Sequence, residues 1–256
     1  MFSRWAARCV GSHLRRKLGQ RLNEKFHGAG VTPALSISSF GTISLLVVIL
    51  LMGATSVRGL ESYPTDAQEL QEQKAQVWAE RGQSAFNTAD YPSAIHAYSE
   101  LLRLKPQDAR VFYNRGLAFK KSGDDAGALK DFTDALTLDP TLHVAFVNRA
   151  RIYLAQNRSA DACADLTQAA RLRPNDPIIP FLRATAYAQM GELNRALDDL
   201  SRSIDLNPNQ APALAERGAL YLRLGQIESA KKDFERALML DPNNDRARQQ
   251  LGMIEG

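Results

Sequence analysis

Residues that build reactive centres are scarce in this sequence. Its 256 residues include only two Cys, two Trp and four His. Only Cys163 lies beyond position 60, which excludes a disulfide framework there. The histidines, His13, His27, His96 and His143, have no metal-ligand or triad spacing, and the chain has no phosphate-binding Gly-rich loop, nucleophile elbow or HExxH motif. The sequence therefore predicts a protein that is not an enzyme and has no cofactor, metal or small-molecule substrate.

Negative charge is nearly absent from the N-terminal part of the chain. Residues 1–60 contain eight Lys or Arg and one acid, Glu24, whereas residues 61–256 contain 24 Lys or Arg and 27 Asp or Glu. The net charge of +4 therefore comes from the N-terminal tail. A folded nucleic-acid-binding domain would need a basic face of its own, so the sequence predicts no nucleic-acid partner.

No charged residue lies between Lys25 and Arg58, and residues 43–52 of this window are nearly all strong hydrophobes. Taken as a helix, residues 34–57 are long enough to cross roughly 30 Å of hydrocarbon. Seven basic residues precede the run and one, Arg58, follows it closely. By the positive-inside rule the N-terminus then stays in the cytoplasm.

These features predict an N-terminal part in three segments: a basic tail at 1–33, a signal anchor or transmembrane helix at 34–57 and a linker at 58–65. The predicted localisation is a single-pass membrane protein whose C-terminal part lies on the translocated, periplasmic or extracytoplasmic, side. A cleaved signal peptide and an organelle presequence are alternative interpretations. They would give a soluble secreted, periplasmic or organellar protein.

Proline recurs at one fixed interval, as Pro106, Pro140, Pro174, Pro208 and Pro242. The chain can be divided, from position 75, into successive blocks as long as the distance from Pro106 to Pro140. Equivalent positions of these blocks share further residue types. The eighth position holds Gly82, Gly116, Ala150, Ala184 and Gly218, and the twentieth holds Ala94, Ala128, Ala162, Ala196 and Ala230. The fourth position, large in every block except at Pro180, and the eleventh, aromatic in every block except at Ala85, complete one helical stripe with the eighth. A second stripe runs through the twentieth and twenty-fourth positions. Each block therefore predicts two helices, with small residues where the two approach closely.

This pattern resembles the tetratricopeptide repeat (TPR) family, whose repeating unit has the same length as these blocks. The resemblance implies an all-α fold, a right-handed α-solenoid of helix–turn–helix repeats with a C-terminal cap helix, preceded here by an N-terminal hydrophobic helix. It implies a TPR domain at 66–256, with a cap at 245–256. The five repeats are 75–108, 109–142, 143–176, 177–210 and 211–244.

The seventh position of every repeat is Arg, where the family more often has Leu. The twenty-third position is Asp in four of the five repeats. An antiparallel hairpin that brings position 8 against position 20 places these columns near each other, so we predict structural ion pairs within repeats. The predicted pairs are Arg115–Asp131, Arg149–Asp165, Arg183–Asp199 and Arg217–Asp233. An alternative register links each Asp to the Arg of the next repeat, and another interpretation is a row of arginines that catches an acidic ligand.

In TPR proteins the concave face is formed by positions 2, 5, 6, 9, 12 and 13 of each first helix. Carried over residue by residue, this implies a partner-binding groove formed by Arg110, Tyr113, Asn114, Leu117, Lys120, Lys121, Val147, Asn148, Arg151, Leu154, Phe181, Leu182 and Thr185. We expect an apolar middle with Lys120, Lys121 and Arg151 on one side. Alternatively, Phe181 and Leu182 pack within the stack of repeats.

The resemblance implies a protein–protein interaction scaffold or adaptor. The predicted form is tethered to a membrane through residues 34–57. It binds a protein or peptide segment that has apolar anchors, with or without acidic neighbours, in the groove. The alternatives are a cleaved, exported or organelle-imported soluble adaptor, and a structural assembly subunit.

Overall fold

The computed structural model describes residues 66–255, and the predicted basic tail, hydrophobic segment and linker lie outside them. The described residues form eleven helices and no strand. The helices are α1 (Asp66–Asn87), α2 (Tyr91–Leu104), α3 (Ala109–Ser122), α4 (Asp125–Leu138), α5 (His143–Ala155), α6 (Ser159–Leu172), α7 (Ile178–Gln189), α8 (Leu193–Leu206), α9 (Ala211–Arg223), α10 (Ile227–Leu240) and α11 (Asp245–Glu255). The all-α prediction is confirmed.

Each repeat contains two helices joined by a short turn, and each helix packs chiefly against its neighbours in the chain. The Ala at the twentieth position is fully buried in all five repeats. Because a methyl group is all that stands between the two backbones there, the helices of a repeat approach closely. The apolar interior consists of four clusters, each formed by residues of consecutive repeats, as expected of units that cannot bury both of their faces alone.

Side-chain size at the eighth position is matched to the residue opposite it at the twenty-fourth. A Cβ built on Gly116 would lie 2.9 Å from Cε1 of Phe132 and 3.2 Å from Cβ of Asp131, closer than packed carbons come. A Cβ built on Gly82 would come similarly close to the ring of Tyr98, and one built on Gly218 to the ring of Phe234. Repeats three and four instead have Ala at position 8 and Leu at position 24. A glycine is therefore paired with a ring, and an alanine with a leucine.

The turn inside each repeat uses one residue in the left-handed region. Gly123, Gly191 and Gly225 have φ of 88°, 78° and 72°, and Asn157 has φ of 58°. These residue types tolerate that conformation. Repeat one has Ala89 at the same place, with φ of 60°. Its turn therefore carries backbone strain that the other four avoid.

Helix α11 covers the C-terminal end of the stack. Ala247 is fully buried, and Leu251 and Ile254 pack against the cluster formed by the last two repeats. Its outer side has exposed Arg246, Arg248 and Gln249. The helix thus seals the apolar interior and presents a polar surface, as terminal units of repeat proteins do.

The predicted localisation in a membrane is wrong for the part of the chain that the structure describes. Among residues 66–255, no helix is long and apolar enough to cross a bilayer. The longest, α1, has 22 residues, but it includes the charged Glu69, Glu72, Lys74, Glu80 and Arg81. The predicted membrane segment at 34–57 lies outside the described residues.

Candidate partner-binding groove

The seventh-position arginines of repeats two to five each contact a carboxylate of their own repeat. Arg115 donates from Nε to Oδ2 of Asp131 at 2.7 Å and from Nη2 to Oδ1 at 2.8 Å. The same two-bond geometry, at 2.7–2.9 Å, joins the pairs Arg149–Asp165, Arg183–Asp199 and Arg217–Asp233. The carboxylates are only 2–9% exposed. The structure thus brings all four predicted pairs together, while their purely structural role stays a prediction.

Each of these arginines also reaches the preceding repeat. Nη1 of Arg115 donates to Oγ of Ser99 at 3.0 Å, and Nη1 of Arg149 donates to Oγ1 of Thr133 at 2.9 Å. Nη1 of Arg217 donates to Oγ of Ser201 at 3.1 Å. The corresponding bond between Arg183 and Thr167 is longer, at 3.5 Å. One guanidinium therefore joins three helices from two consecutive repeats.

In three of the pairs the carboxylate makes the guanidinium group harder to deprotonate. Its hydrogen bonds raise the pKa of Arg149, Arg183 and Arg217 above the ordinary value, against the opposing effect of burial. A charge held between two carboxylate oxygens and a hydroxyl has few donors left for a ligand. The series therefore has the chemistry of an internal clamp.

The predicted groove contains a hydrogen-bonded cluster of Tyr113, Lys120 and Asn148. Nζ of Lys120 donates to Oδ1 of Asn148 at 3.3 Å, and Nδ2 of Asn148 donates to Oη of Tyr113 at 3.3 Å. All three side chains are half-buried. Since Asn148 belongs to repeat three and the others to repeat two, the cluster bridges two first helices.

Positive charge gathers beside this cluster. Burial, together with the charges of Arg151 and Lys121, lowers the pKa of Lys120, and Asp125 offsets part of that effect. Arg151 and Lys121 are exposed, and Arg110 is exposed on the same helix as Lys120. An acidic group at this place would relieve the repulsion among the cations.

The apolar members of the predicted groove are largely turned into the stack. Leu154 is buried, contrary to the expectation that it faces a partner. Leu117 packs against the core of repeats two and three. Val147, Phe181 and Leu182 are half-buried and also pack against core clusters. The middle of the groove is thus less apolar than predicted, because these side chains fill the space between successive first helices.

Asn114 and Thr185 differ in what surrounds them. Thr185 is half-buried and donates to the carbonyl of Phe181 at 3.2 Å. Asn114 lines a cavity of about 480 Å³ between repeats one and two. The other residues that line this cavity are Glu72, Ala75, Gln76, Ala79, Glu80, Gln83, Tyr98, Leu101, Lys105, Asp108 and Val111. Sequence reasoning missed the cavity, although Gln76, Ala79, Glu80 and Gln83 occupy the same family positions as the predicted groove residues.

The histidines of the described region take no part in a metal site. His96 makes an edge-to-face contact with Trp78, at 5.8 Å between ring centroids. Within residues 66–255 no group of three or more His, Cys, Asp or Glu side chains is arranged to hold a metal ion. The candidate site is therefore the groove. It has a cavity at repeats one and two, whose polar lining includes three acids, three amides and Lys105, and a basic cluster at repeats two and three.

Comparison with known protein families gives two matches, both to models described as tetratricopeptide repeat. One covers residues 80–143 and 147–211, and the other covers residues 195–255. Together they span most of the chain. No curated protein matches the chain.

Comparison with solved structures gives similar folds at low sequence identity. MamA from Desulfovibrio magneticus RS-1, residues 41 to the end, is 20% identical, with a TM-score of 0.64 over 72% of this chain and 99% of that one. YrrB, described as a TPR protein with an unusual peptide-binding site, is 20% identical, with a TM-score of 0.63 over 72% and 95%. PilF from Pseudomonas aeruginosa is 17% identical, with a TM-score of 0.61 over 69% and 81%. At these identities the likeness shows the fold alone.

Proposed function

The chain belongs to the tetratricopeptide repeat family, whose fold is typical of protein–protein interaction scaffolds, and on this basis we propose a binding function. We propose that the first helices of the repeats together bind an extended segment of a partner protein. The single observation that carries this proposal is the cluster of Tyr113, Lys120 and Asn148. It places polar groups and a half-buried cation at the surface between two repeats. Core packing does not require a cation there, whereas an acidic group of a partner is complemented by one.

Charge changes sign along the proposed groove. Glu72, Glu80, Asp108 and Lys105 line the cavity of repeats one and two. Because Lys105 pairs with Glu72, Glu80 and Asp108 leave the cavity with an excess of negative charge, whereas Lys121 and Arg151 add positive charge beside Lys120 in the cluster of repeats two and three. A matching segment has a basic residue at the first place and an acidic residue at the second. Such an order fixes the direction in which the segment runs, because the reversed segment would face like charges.

Apolar contacts add to this recognition near repeat four. The half-buried Phe181 and Leu182 keep part of their side chains at the surface while they pack into the stack. A segment anchored there by an apolar side chain would pass the basic cluster on its way toward repeat one. YrrB, whose description names a peptide-binding site, is a precedent for a peptide ligand on this fold.

The test is a peptide selection on the full chain, followed by measured dissociation constants. Selected peptides should have an acidic residue, and Lys120→Gln or Arg151→Gln should raise their Kd about tenfold, as loss of a favourable interfacial charge does. Lys232→Gln is the matched control, because Lys232 is exposed on α10, away from the groove. Peptides that bind the two groove variants as tightly as the wild type would refute the proposal.

A further inference from the structure

Repeat four lacks the large side chain that the other repeats have at the fourth position. Trp78, Phe112, Phe146 and Leu214 stand there in the other repeats, and Pro180 stands in repeat four. The guanidinium of Arg115 lies 5.6 Å from the ring centre of Phe112, and that of Arg149 lies 5.8 Å from Phe146. Proline supplies no such ring beside Arg183.

A cavity of about 230 Å³ lies at this place, between repeats three and four. It is lined by Thr167, Ala170, Arg171, Arg173, Pro174, Pro180, Arg183 and Arg202. None of these residues is acidic, and none belongs to the proposed groove. The cavity thus has four arginines around it, beside the position where Pro180 stands in place of the Phe112 and Phe146 of repeats two and three.

The charge of these arginines is mostly uncompensated. Asp199 neutralises Arg183, but within residues 66–255 no carboxylate forms an ion pair with Arg171, Arg173 or Arg202. Arg202 donates to the backbone carbonyl of Pro174 at 3.1 Å, and Arg171 makes only a long contact with Gln168 at 3.5 Å. All three are exposed, so their remaining donors are available to a ligand.

The other junctions between repeats are not built this way. Each has an aspartate at one of the three positions that Arg171, Arg173 and Arg202 occupy: Asp134, Asp139 and Asp205. Only the junction of repeats three and four combines arginine at all three positions with a proline in place of the large side chain. Repeat packing alone therefore does not account for the arrangement.

We propose that this cavity binds a phosphate-sized dianion, either free or carried as a phosphoryl group on a partner's side chain. Planar guanidinium groups donate paired hydrogen bonds to phosphate oxygens and suit such an anion better than a point charge does. The ligand would offset the repulsion among Arg171, Arg173 and Arg202. The site is separate from the groove and does not depend on the function proposed above.

The experiment titrates the full chain with inorganic phosphate and, separately, with a phosphoserine peptide and its unphosphorylated form, by calorimetry at low ionic strength. We expect one site per chain. Arg202→Gln should weaken binding at least about tenfold, as loss of a charge-assisted hydrogen bond does. Arg236→Gln should leave it unchanged. This control is closely matched, because Arg236 donates to the carbonyl of Pro208 at 3.2 Å just as Arg202 does to Pro174.

Pro180→Phe tests the cavity without removing a charge. The ring should fill the space beside Arg183, and it should abolish binding while the helical circular dichroism is kept. If only the phosphoserine peptide binds, the ligand is a phosphoryl group carried by a partner. If inorganic phosphate binds as well, the free ion is also a ligand. The inference is overturned if neither inorganic phosphate nor the phosphoserine peptide binds, if Arg202→Gln and Arg236→Gln weaken binding equally, or if the groove variant Lys120→Gln weakens it.

Discussion

Single residues show how this array holds charge in its interior. Asp131 is 2% exposed at its side chain and Arg115 is 17% exposed, so each would be costly to bury alone. Together with Ser99 they satisfy one another's hydrogen bonds. The buried charges of this clamp are therefore stabilised only when Arg115, Asp131 and Ser99 are all present.

Removing one partner of the clamp should expose this dependence. We expect Asp131→Ala to lower the free energy of unfolding by about 3 kcal/mol, the low end of the range for a broken buried pair, because Arg115 keeps some contact with water. Urea denaturation measures the change. Asp134→Ala is the control, since its pair with Lys130 is solvent-exposed and should contribute no more than about 0.5 kcal/mol. Equal effects of the two substitutions would show that the clamp is not stabilising.

At this scale the sequence predicts part of the clamp. Two columns of opposite charge, at one constant separation along the chain, pointed to Arg115–Asp131 and its equivalents. The third partner was not predicted, because Ser99 and Thr133 are common types on helix surfaces and their bonds cross from one repeat to the next. The sequence does contain a signal for this partner, because a Ser or Thr precedes each of the four arginines by the same number of residues.

Pairs of helices are held together by matched volumes. Glycine stands opposite a ring in repeats one, two and five, and alanine stands opposite leucine in repeats three and four. The columns were visible in the sequence, but their matching was not, because it needs the distance between the two helices. Gly116 and Phe132, in contact across α3 and α4, are the clearest example.

A double-mutant cycle tests this matching. Gly116→Ala should destabilise the protein by about 1 kcal/mol, since overpacking of about 2 kcal/mol exceeds the helix-propensity gain of about 1 kcal/mol. Phe132→Leu should relieve the contact, so the double variant should be at least about 0.5 kcal/mol more stable than additivity requires. Gly252→Ala, at an open position of α11, should not destabilise. Strict additivity in chemical denaturation would contradict the matching.

The turn of repeat one offers a gain in stability. Ala89→Gly should raise the free energy of unfolding by about 1 kcal/mol, because it removes the strain of a left-handed alanine. Gly123→Ala should lower it by a similar amount, and nothing lies within 4 Å of a Cβ built there, so that change reports on the backbone alone. Thermal or urea unfolding measures both, and a loss of stability in Ala89→Gly would contradict the interpretation.

In the array as a whole, each repeat packs mainly against the repeats next to it. The repeat period could be predicted from the sequence because the same pattern occurs five times in register. The groove was predicted less well. Position rules derived from the family select side chains such as Tyr113 and Lys120 that reach the surface, but they also select Leu154, which is buried. Whether a side chain is exposed to solvent depends on how the next repeat packs against it. The position of a residue within its own repeat does not determine this.

Damage at one end of the array should therefore stay local. Ala247→Asp buries a charge against the last two repeats, and we expect faster amide hydrogen exchange in α9 and α10 with little change in α2 and α3, because each repeat depends mainly on its neighbours. Ala247→Ser, a smaller change at the same place, is the control. Uniform acceleration through α1–α10 in exchange mass spectrometry would show that the array unfolds as one unit.

The bonds that join each arginine to the preceding repeat also set how the array responds to bending. Three junctions are fastened by an arginine–hydroxyl bond of 2.9–3.1 Å, and the junction of repeats three and four by one of 3.5 Å. The same junction contains the small cavity beside Pro180. At that junction the packing of the helices, more than the arginine–hydroxyl bond, would therefore carry a load applied to the ends of the array.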